Sequence, residues 1–275
     1  MTETLAGRTL LISGGSRGIG LAIALRAAHD GANIALLAKT DRPHPRLAGT
    51  VRTAAAAIRE AGGSALGIVG DVRDDEAISA AVSETVAAFG GIDIVVNNAS
   101  AIDLSGTLDL EPRRYDLMQD VNVRGTFMLS RAAMPVLVQA ESPRILTLSP
   151  PLDLSPRWLG AFPGYMVAKY GMTLTTLGLA AEFAGAGVLA NCLWPRTTIR
   201  TAAVANLLGG DEVMRRSRTP DIYADAAYLV LTDPLGRTGQ TFIVEEVLAE
   251  AGITDLARYS PGVAEEDLYP DAFVE

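Results

Sequence analysis

The chain has 275 residues, 49% of them hydrophobic, and a formal net charge of −9 at pH 7. This length is enough to bury one large core and is short for two domains, so one globular domain is expected. The acidic balance argues against nucleic acid and against an anionic membrane surface as partners.

The N-terminal residues and the rare residue types narrow the classes further. The first predicted strand begins at Thr9 without a basic and long apolar run before it, so neither a signal peptide nor a membrane span is expected, and cytoplasmic location is the default. Cys192 is the single cysteine and lies in a strand-like run, which predicts a core residue. His29 and His44 are isolated from each other and from any carboxylate cluster with ligand spacing, so no metal site is expected.

Short apolar segments alternate along the chain with stretches of helical periodicity. The predicted strands are residues 9–13, 33–37, 65–69, 94–97, 144–149, 188–194 and 241–244. This alternation predicts an α/β fold of the Rossmann type, a doubly wound, mainly parallel seven-stranded sheet with helices on both faces. Residues 1–253 are expected to form the single dinucleotide-binding and catalytic domain. Residues 254–275 form an acidic C-terminal tail that either covers this body or trails from it.

A glycine-rich turn, Ser-Gly-Gly-Ser-Arg-Gly-Ile-Gly at residues 13–20, joins the first predicted strand to a helix. Glycines let the backbone turn tightly and approach a bound pyrophosphate, whose charge a helix N-terminus favours. The spacing Gly-x-x-x-Gly-x-Gly differs from the usual Gly-x-Gly-x-x-Gly, and a strained tight turn is the alternative. The strand before it and the helix after it nevertheless favour nucleotide binding by Gly14, Ser16, Arg17, Gly18, Ile19 and Gly20.

The end of the second predicted strand bears on the choice of cofactor. An NAD site usually has an acid here, which accepts a hydrogen bond from the ribose 2′-hydroxyl, but this chain has Lys39. Lys39 together with Arg17 suits a 2′-phosphate, so NADP(H) is favoured, while the nearby Asp41 keeps NAD(H) open. The segment Pro43-His44-Pro45 is either a rigid rim over that phosphate or a surface loop stiffened by proline.

Tyr165 and Lys169 lie four residues apart in an apolar stretch that predicts the start of a buried helix. Residues i and i+4 share a helical face, so the ammonium can favour the phenolate and help lower the pKa of the tyrosine. Lys39 and Lys169 are the only lysines in the chain. The pair is therefore a candidate proton donor and acceptor, and a solvated helix pair is the alternative.

Taken together, these features resemble the short-chain dehydrogenase/reductase family, and within it the hydroxysteroid-dehydrogenase-like protein 2 group. The family likeness rests on the glycine turn, Asp71-Val72, residues 97–100 (Asn-Asn-Ala-Ser), Asn122, and Tyr165 with Lys169. The likeness to the group rests on residues 39–50, residues 149–152 and Trp194-Pro195. Members of that group can carry a further sterol-carrier-like domain, which a chain of these 275 residues is expected to lack.

The resemblance implies a role for each matching residue. Tyr165 would exchange the proton of the alcohol or carbonyl oxygen, Lys169 would hold the nicotinamide ribose, and Asn122 would anchor a water in the proton relay. The implied contacts to the rest of the cofactor are Asp71 and Val72 at the adenine, Asn98 and Ala99 at the adenosine ribose, and Pro195 and Ile199 after the sixth strand. For Asp71, an ordinary helix cap is the alternative. A homo-oligomer, dimer or tetramer, is implied through the helices at residues 122–138 and 165–183.

Two positions depart from the family pattern. The family serine that lies 13 residues before the tyrosine is replaced by Leu152. Ser149 is the main candidate to take over its hydrogen bond to the substrate oxygen, Ser155 is a weaker one, and a strand-capping hydroxyl is the alternative for Ser149. Where the family has Pro-Gly after the sixth strand, this chain has Pro195-Arg196, and Arg196 either attracts an acidic substrate or faces solvent.

The expected function is an NADP(H)-dependent oxidoreductase that interconverts an alcohol and a carbonyl on an apolar small-molecule substrate. Residues 197–210 predict a helical lid with a hinge at Gly209-Gly210, and Trp158, Leu159 and Phe162 would form the opposite wall. The alternative is a catalytically weak NADP(H)-binding protein with a regulatory or scaffold role.

Overall fold

A computed structural model of the protein describes residues 4–43, 49–207 and 209–274. Seven parallel strands form one sheet in the order β3-β2-β1-β4-β5-β6-β7. The strands are β1 (Thr9–Ser13), β2 (Asn33–Ala38), β3 (Ser64–Val69), β4 (Ile94–Asn97), β5 (Arg144–Thr147), β6 (Leu189–Trp194) and β7 (Thr241–Ile243). The predicted doubly wound, Rossmann-type sheet is confirmed.

Helices connect and cover the strands. They are α1 (Gly18–Ala28), α2 (Val51–Glu60), α3 (Asp75–Phe89), α4 (Pro112–Met118), α5 (Gly125–Leu137), α6 (Pro156–Ala161), α7 (Pro163–Glu182), α8 (Ala202–Leu207), α9 (Gly210–Arg215), α10 (Pro220–Leu231) and α11 (Val244–Glu250). A π-helical turn, Gln119–Arg124, joins α4 to α5. Among the described residues, no helix is both long and apolar enough to cross a membrane.

The core lies in two layers because successive residues of a strand point to opposite faces of a sheet. Leu10 and Ile12 of β1 belong to the layer beneath α1, α2, α10 and α11, whereas Leu11 belongs to the layer beneath α3, α5 and α7. The strand order reverses between β1 and β4, where the chain returns from β3 to the centre of the sheet. Ligands of doubly wound sheets bind at such a switch point, beyond the carboxyl ends of the strands.

Three strand ends differ from the prediction. β5 ends at Thr147, because the backbone N–H groups of Leu148 and Ser149 donate to Asn97 and Thr147 and turn the chain out of the ladder. β6 begins at Leu189 rather than at residue 188, and β7 ends at Ile243 because Val244 already begins α11.

The C-terminal tail covers the body. Tyr259 and Phe273 are almost fully buried, and the buried guanidinium of Arg218 pairs with Glu265 of the tail. An antiparallel bridge between Thr197 and Pro270 places the end of the tail beside the segment that follows β6. Of the two arrangements that the sequence leaves open for residues 254–275, the structure has the covering one.

Candidate functional site

The glycine turn after β1 is fitted closely against the turn after β4. Gly14 has φ +70°, and a Cβ atom on it would lie 2.8 Å from Asn98 Nδ2. A Cβ on Gly20 would lie 2.5 Å from the same atom. The Asn98 side-chain amide donates to the carbonyl oxygens of Ser13 (2.8 Å) and Gly14 (3.0 Å), and the Ser13 hydroxyl accepts from the backbone N–H of Ala99. These contacts fix the turn at the switch point of the sheet.

The N-terminus of α1 is open to an anion. Arg17 occupies the N-cap position in an extended conformation and makes no side-chain cap, while its guanidinium donates to the Gly49 carbonyl at 2.6 Å. The first N–H groups of the helix therefore have no capping side chain, and a helix N-terminus in this state attracts a phosphate. The side chain of Thr201 comes close to Gly18 from the far side, because a Cβ on Gly18 would lie 3.4 Å from Thr201 Cγ2. This cradle fits a dinucleotide pyrophosphate.

The remaining residues of the turn and its cover support it from within. Ser16 and Ile199 are buried, and Ile19 packs on the core layer beneath α1. Pro195 is buried at the end of β6. A groove of about 610 Å³ begins at Arg17 and Gly18 and runs between α1 and α10, and Tyr165 and Lys169 do not line it.

The charges at the end of β2 differ in their partners. Lys39 is exposed and forms no hydrogen bond or salt bridge with any residue in the described part of the chain. Asp41 accepts a hydrogen bond from Arg52 Nε at 2.6 Å, and this bond holds the pKa of the carboxyl below its ordinary value. His44 and Pro45 of the proline segment lie outside the described residues. The acid that could serve NAD(H) is thus already paired.

Asp71 lies in a turn after β3. Its carboxylate accepts hydrogen bonds from the Arg73 backbone and guanidinium, and these bonds, together with the charge of Lys39, lower its pKa. The cap of α3 is Asp74, which accepts from the N–H groups of Glu76 and Ala77. The helix-cap alternative for Asp71 is therefore wrong, because the helix begins three residues later. Val72 is buried against Gly125, where a Cβ would lie 2.9 Å from Val72 Cγ2.

Asn122 lies in the π-helical turn and is fully buried. Its side-chain oxygen accepts from the Ala101 N–H at 2.7 Å, and its Nδ2 donates to the Ala101 carbonyl at 3.0 Å. The side chain therefore ties the loop after β4 to the helix. Single π turns inside helices are frequent at functional sites, because they change which carbonyl groups remain free.

Tyr165 and Lys169 are both buried on α7, beside the ends of β5 and β6. Lys169 Nζ donates to the Leu148 carbonyl at 2.9 Å and lies 5.0 Å from the centre of the Trp194 ring, and burial lowers its pKa to about 8. No residue in the described part of the chain hydrogen-bonds the Tyr165 hydroxyl. The sequence predicts a lowered pKa for Tyr165, but in this structure burial, followed by the nearby Asp271, raises it.

Ser149 faces the interior beside α7. Its hydroxyl accepts from Thr173 Oγ1 at 3.0 Å and also bonds the Cys192 thiol. Its partners in the structure are thus these two groups and not Tyr165. Ser155 begins α6, where its backbone N–H donates to Asp153 at 2.8 Å.

Arg196 faces solvent, as one of the two alternatives predicts. Its guanidinium pairs with Glu246 in an exposed salt bridge, and its backbone N–H donates to Glu245 at 2.9 Å.

The predicted lid and wall differ in how well they match the structure. Residues 197–207 and 209–218 form the lid, in which α8 and α9 flank Gly209 (φ +127°) and Gly210 (φ +64°), while residue 208 lies outside the described residues. In the wall, Trp158 is buried, but Leu159 is exposed and therefore does not contribute to it.

An aromatic cage surrounds the phenol of Tyr165, and a residue of the C-terminal tail fills it. We define the cage by five rings, and the Phe273 ring centre lies 5.3 to 6.2 Å from each, as expected for tilted aromatic packing. The cage residues are Trp158, Phe162, Tyr165, Tyr170 and Trp194. Sequence reasoning missed Phe273 and Asp271, and the only signal for them is an apolar pair, Phe273-Val274, inside an otherwise acidic tail.

The chain resembles known proteins over its whole length. The short chain dehydrogenase family model matches residues 8–209. Hydroxysteroid dehydrogenase-like protein 2 of Danio rerio is 50% identical over 276 aligned residues, which cover 100% of this chain and 65% of that protein. The chain therefore spans less than two thirds of the length of this curated relative. The predicted likeness to this group is confirmed.

Two solved structures have the same architecture. A short chain dehydrogenase homologue from Mycobacterium thermoresistibile is 56% identical with a TM-score of 0.92, covering 99% of this chain and 96% of that one. A protein from Xanthomonas campestris described as a dehydrogenase is 55% identical with a TM-score of 0.94, covering 99% of this chain and 100% of that one.

Proposed function

Because the chain belongs to the short-chain dehydrogenase family, we propose that it is an NADP(H)-dependent oxidoreductase that interconverts an alcohol and a carbonyl on an apolar substrate. When bound, the nicotinamide supplies or accepts the hydride. The protein's part is to hold the cofactor, orient the substrate carbon and move the proton of the substrate oxygen.

The observation that carries the proposal is the state of Tyr165. Its hydroxyl has no hydrogen-bond partner among the described residues, and Lys169 lies on the same helical face. A hydroxyl in this state can donate to a carbonyl oxygen or accept from an alcohol without breaking a bond inside the protein. Tyr165 is therefore the proposed general acid and base.

Three further residues complete the proposed catalytic set. Lys169, tied to the Leu148 carbonyl, would hold the nicotinamide ribose beside the phenol. Asn122 would anchor a water of the proton relay, with its side chain fixing the Ala101 loop. Ser149 would support the substrate oxygen by turning its hydroxyl away from Thr173.

The preference for NADP(H) rests on the charges around β2. Lys39 is free for a phosphate, Arg17 lies at the start of α1, and Asp41 is paired with Arg52. A carboxylate that already binds a guanidinium is a poor acceptor for a ribose hydroxyl. The other proposed cofactor contacts are Gly14, Ser16, Gly18, Ile19, Gly20, Asp71, Val72, Asn98, Ala99, Pro195 and Ile199.

The surroundings of Tyr165 support an apolar substrate. The cage is aromatic, and Val204 of the lid is buried on the same side of the sheet as Ile199. Apolar walls with few polar groups are typical of sites for apolar small molecules. Because the chain covers only part of its longer relatives, the substrate class is proposed for these 275 residues alone.

The test replaces Tyr165 by Phe and compares turnover with cofactor binding. We expect NADPH-dependent reduction of an apolar ketone to fall at least 100-fold, because general acid–base catalysis typically contributes about 10²–10⁴-fold, while NADPH affinity stays within twofold. Tyr115→Phe, at an exposed tyrosine on α4, is the control. Equal turnover in parent and Tyr165→Phe would refute the assignment.

The second candidate is a cofactor-binding protein with little catalysis. It is favoured by the Ser149 hydroxyl, which is engaged with Thr173 and Cys192, and by Phe273, which fills the space around Tyr165. This candidate predicts NADPH binding without turnover over a broad panel of ketones and aldehydes.

A further inference from the structure

Residues 268–274 of the tail, which we call the strap, lie where a substrate must bind if Tyr165 acts on it. The Phe273 ring lies 6.0 Å from the Tyr165 ring, centre to centre, and is itself only 1% exposed. Five aromatic rings, from α6, α7, β6 and the residue between α6 and α7, enclose it. The cage thus binds an apolar ring, and in this structure the ring is the protein's own.

The backbone of the strap is held in an unfavourable conformation at the same residue. Phe273 has φ +71°, and among the described residues it is the only non-glycine residue with a positive φ. A bulky L-residue adopts this conformation only where its surroundings enforce it, and such residues cluster at clamps and switches. The aromatic packing in the cage is what keeps Phe273 in place.

The strap also brings a carboxyl group to the reacting side chains. Asp271 is close enough to influence the charges of both Lys169 and Tyr165, and its own pKa is raised to about 6, mainly by burial. A negative charge beside Tyr165 disfavours the phenolate. With the strap in place, the phenol is therefore both covered and electrostatically opposed.

The strap is attached to the lid. The Tyr269 carbonyl accepts from the Thr198 N–H at 2.9 Å, and the Tyr269 N–H donates to the Arg216 carbonyl at 2.8 Å. Its bonds around β6 are two, from Trp194 Nε1 to the Ala272 carbonyl at 2.7 Å and from the Asp271 N–H to the Arg196 carbonyl at 2.8 Å. Lid and strap share hydrogen bonds and would move as one unit.

One buried group in the cage has no partner while the strap is present. Trp158 Nε1 is buried and donates to no described residue. A buried N–H without an acceptor is unfavourable, and native structures usually satisfy such groups. Phe273 offers no acceptor on its side chain, so it fills the cage without satisfying this donor.

We propose that the strap is an autoinhibitory segment: Phe273 occupies the cage that receives the apolar part of the substrate, and strap and lid must withdraw together before turnover. The inference builds on the proposed function, since it concerns the same site. Its alternative is a permanent wall, in which Phe273 stays in place and contacts the substrate.

The first test is the binding of 2-octanone to the full chain, measured by isothermal titration calorimetry without cofactor. We expect Phe273→Ala to bind 2-octanone at least tenfold more tightly than the parent, because the competing ring is gone. Tyr269→Ala, which removes an exposed ring of the same strap, should stay within twofold. Weaker or unchanged binding by Phe273→Ala would overturn the proposal and favour the permanent wall.

Hydrogen exchange on the unmodified chain covers the case in which Phe273→Ala does not fold. Added 2-octanone should lower the protection of residues 269–274 and of the lid together, and unchanged or increased protection would contradict withdrawal. Neither measurement requires turnover. Tighter binding by Phe273→Ala without NADPH-dependent reduction would therefore support the strap and refute the proposed oxidoreductase activity.

Discussion

The hydroxyl of Tyr165 and the ammonium of Lys169 lie in surroundings that oppose ionisation of both. Burial raises the pKa of the phenol and lowers that of the ammonium to about 8. The i, i+4 spacing fixes which face the two side chains share, whereas the degree of burial and the charge of Asp271 decide their proton affinities. Withdrawal of the strap would remove Asp271 and admit water, and both changes favour the phenolate.

Asp271 predicts a pH dependence of stability. Its pKa is about 6 in the folded protein against an ordinary 3.8, so the folded state binds this proton more tightly than the unfolded state. The resulting stabilisation is present below about pH 4 and is lost as the pH rises through about 6. Two pKa units correspond to roughly 2–3 kcal/mol.

The variant Asp271→Asn should therefore be more stable than the parent at pH 7, by about 1–3 kcal/mol, and similar to it at pH 4. Urea unfolding at both pH values measures the difference, with Glu266→Gln in the exposed part of the tail as the control. Lys169 and Glu245 also face Asp271, and they stay the same in both proteins. Parent and variant of equal stability at pH 7 would exclude a buried, destabilising carboxylate.

Lys39 predicts the cofactor preference. Replacing it by Ala removes a free cation at the end of β2, so NADPH affinity should fall about tenfold, which is about 1.4 kcal/mol, while NADH affinity changes less than twofold. Equilibrium titrations of both cofactors measure this, with Arg131→Ala on the exposed face of α5 as the control. An equal loss for both cofactors would show that Lys39 does not contact a 2′-phosphate.

At the scale of elements, the glycine turn and the turn after β4 form one unit. The Asn98 amide holds the carbonyls of Ser13 and Gly14, and Gly20 leaves no room for a Cβ beside it. The glycine pattern therefore serves two purposes. It allows a phosphate to approach the backbone, and it admits the asparagine that fixes the turn.

This packing predicts opposite effects of one methyl group at two helical glycines. Gly20→Ala should destabilise the protein by about 1–3 kcal/mol, because the added Cβ would overlap Asn98 in a packed site. Gly178→Ala on α7, where nothing lies within 4 Å, should be neutral or stabilise by up to about 1 kcal/mol. Urea unfolding compares them, and equal stabilities of the two variants would show that the Asn98 contact yields without cost.

The sheet could be predicted from the sequence because each strand is a short apolar run with its own turn signals. Tyr165 with Lys169 could be predicted because both lie on one helix, where spacing alone fixes proximity. The partners of Ser149 and Asp41 could not, since Thr173 and Arg52 reach them from separate helices. Phe273 could not be placed either, because an acidic tail predicts solvent and the cage lies more than a hundred residues earlier for three of its rings.

For the whole molecule, exposed apolar side chains on α5 and α7 bear on assembly. Phe127, Val167 and Leu174 are 47%, 45% and 58% exposed, and Val167 and Leu174 lie on one face of α7 at a spacing of seven. Large exposed apolar side chains in one region often mark an interface between subunits. They support the proposed homo-oligomer, dimer or tetramer.

Leu174→Glu should shift that oligomer toward the monomer, because a charge would be buried without a partner in a symmetric contact. Sedimentation velocity measures the distribution, and Leu108→Glu, at a side chain 98% exposed in a loop, is the control. A monomeric parent, or an unchanged distribution for Leu174→Glu, would place the interface elsewhere or exclude it.

The aromatic cage has a consequence for spectroscopy. The chain contains 2 tryptophans, and both rings, Trp158 and Trp194, pack against Phe273. Emission from the entire protein on excitation near 295 nm therefore comes from a single place, the wall around the proposed proton donor. The natural protein is in effect already labelled there, so polarity and collisional quenching of its indoles can follow the opening of this site in real time without an added dye.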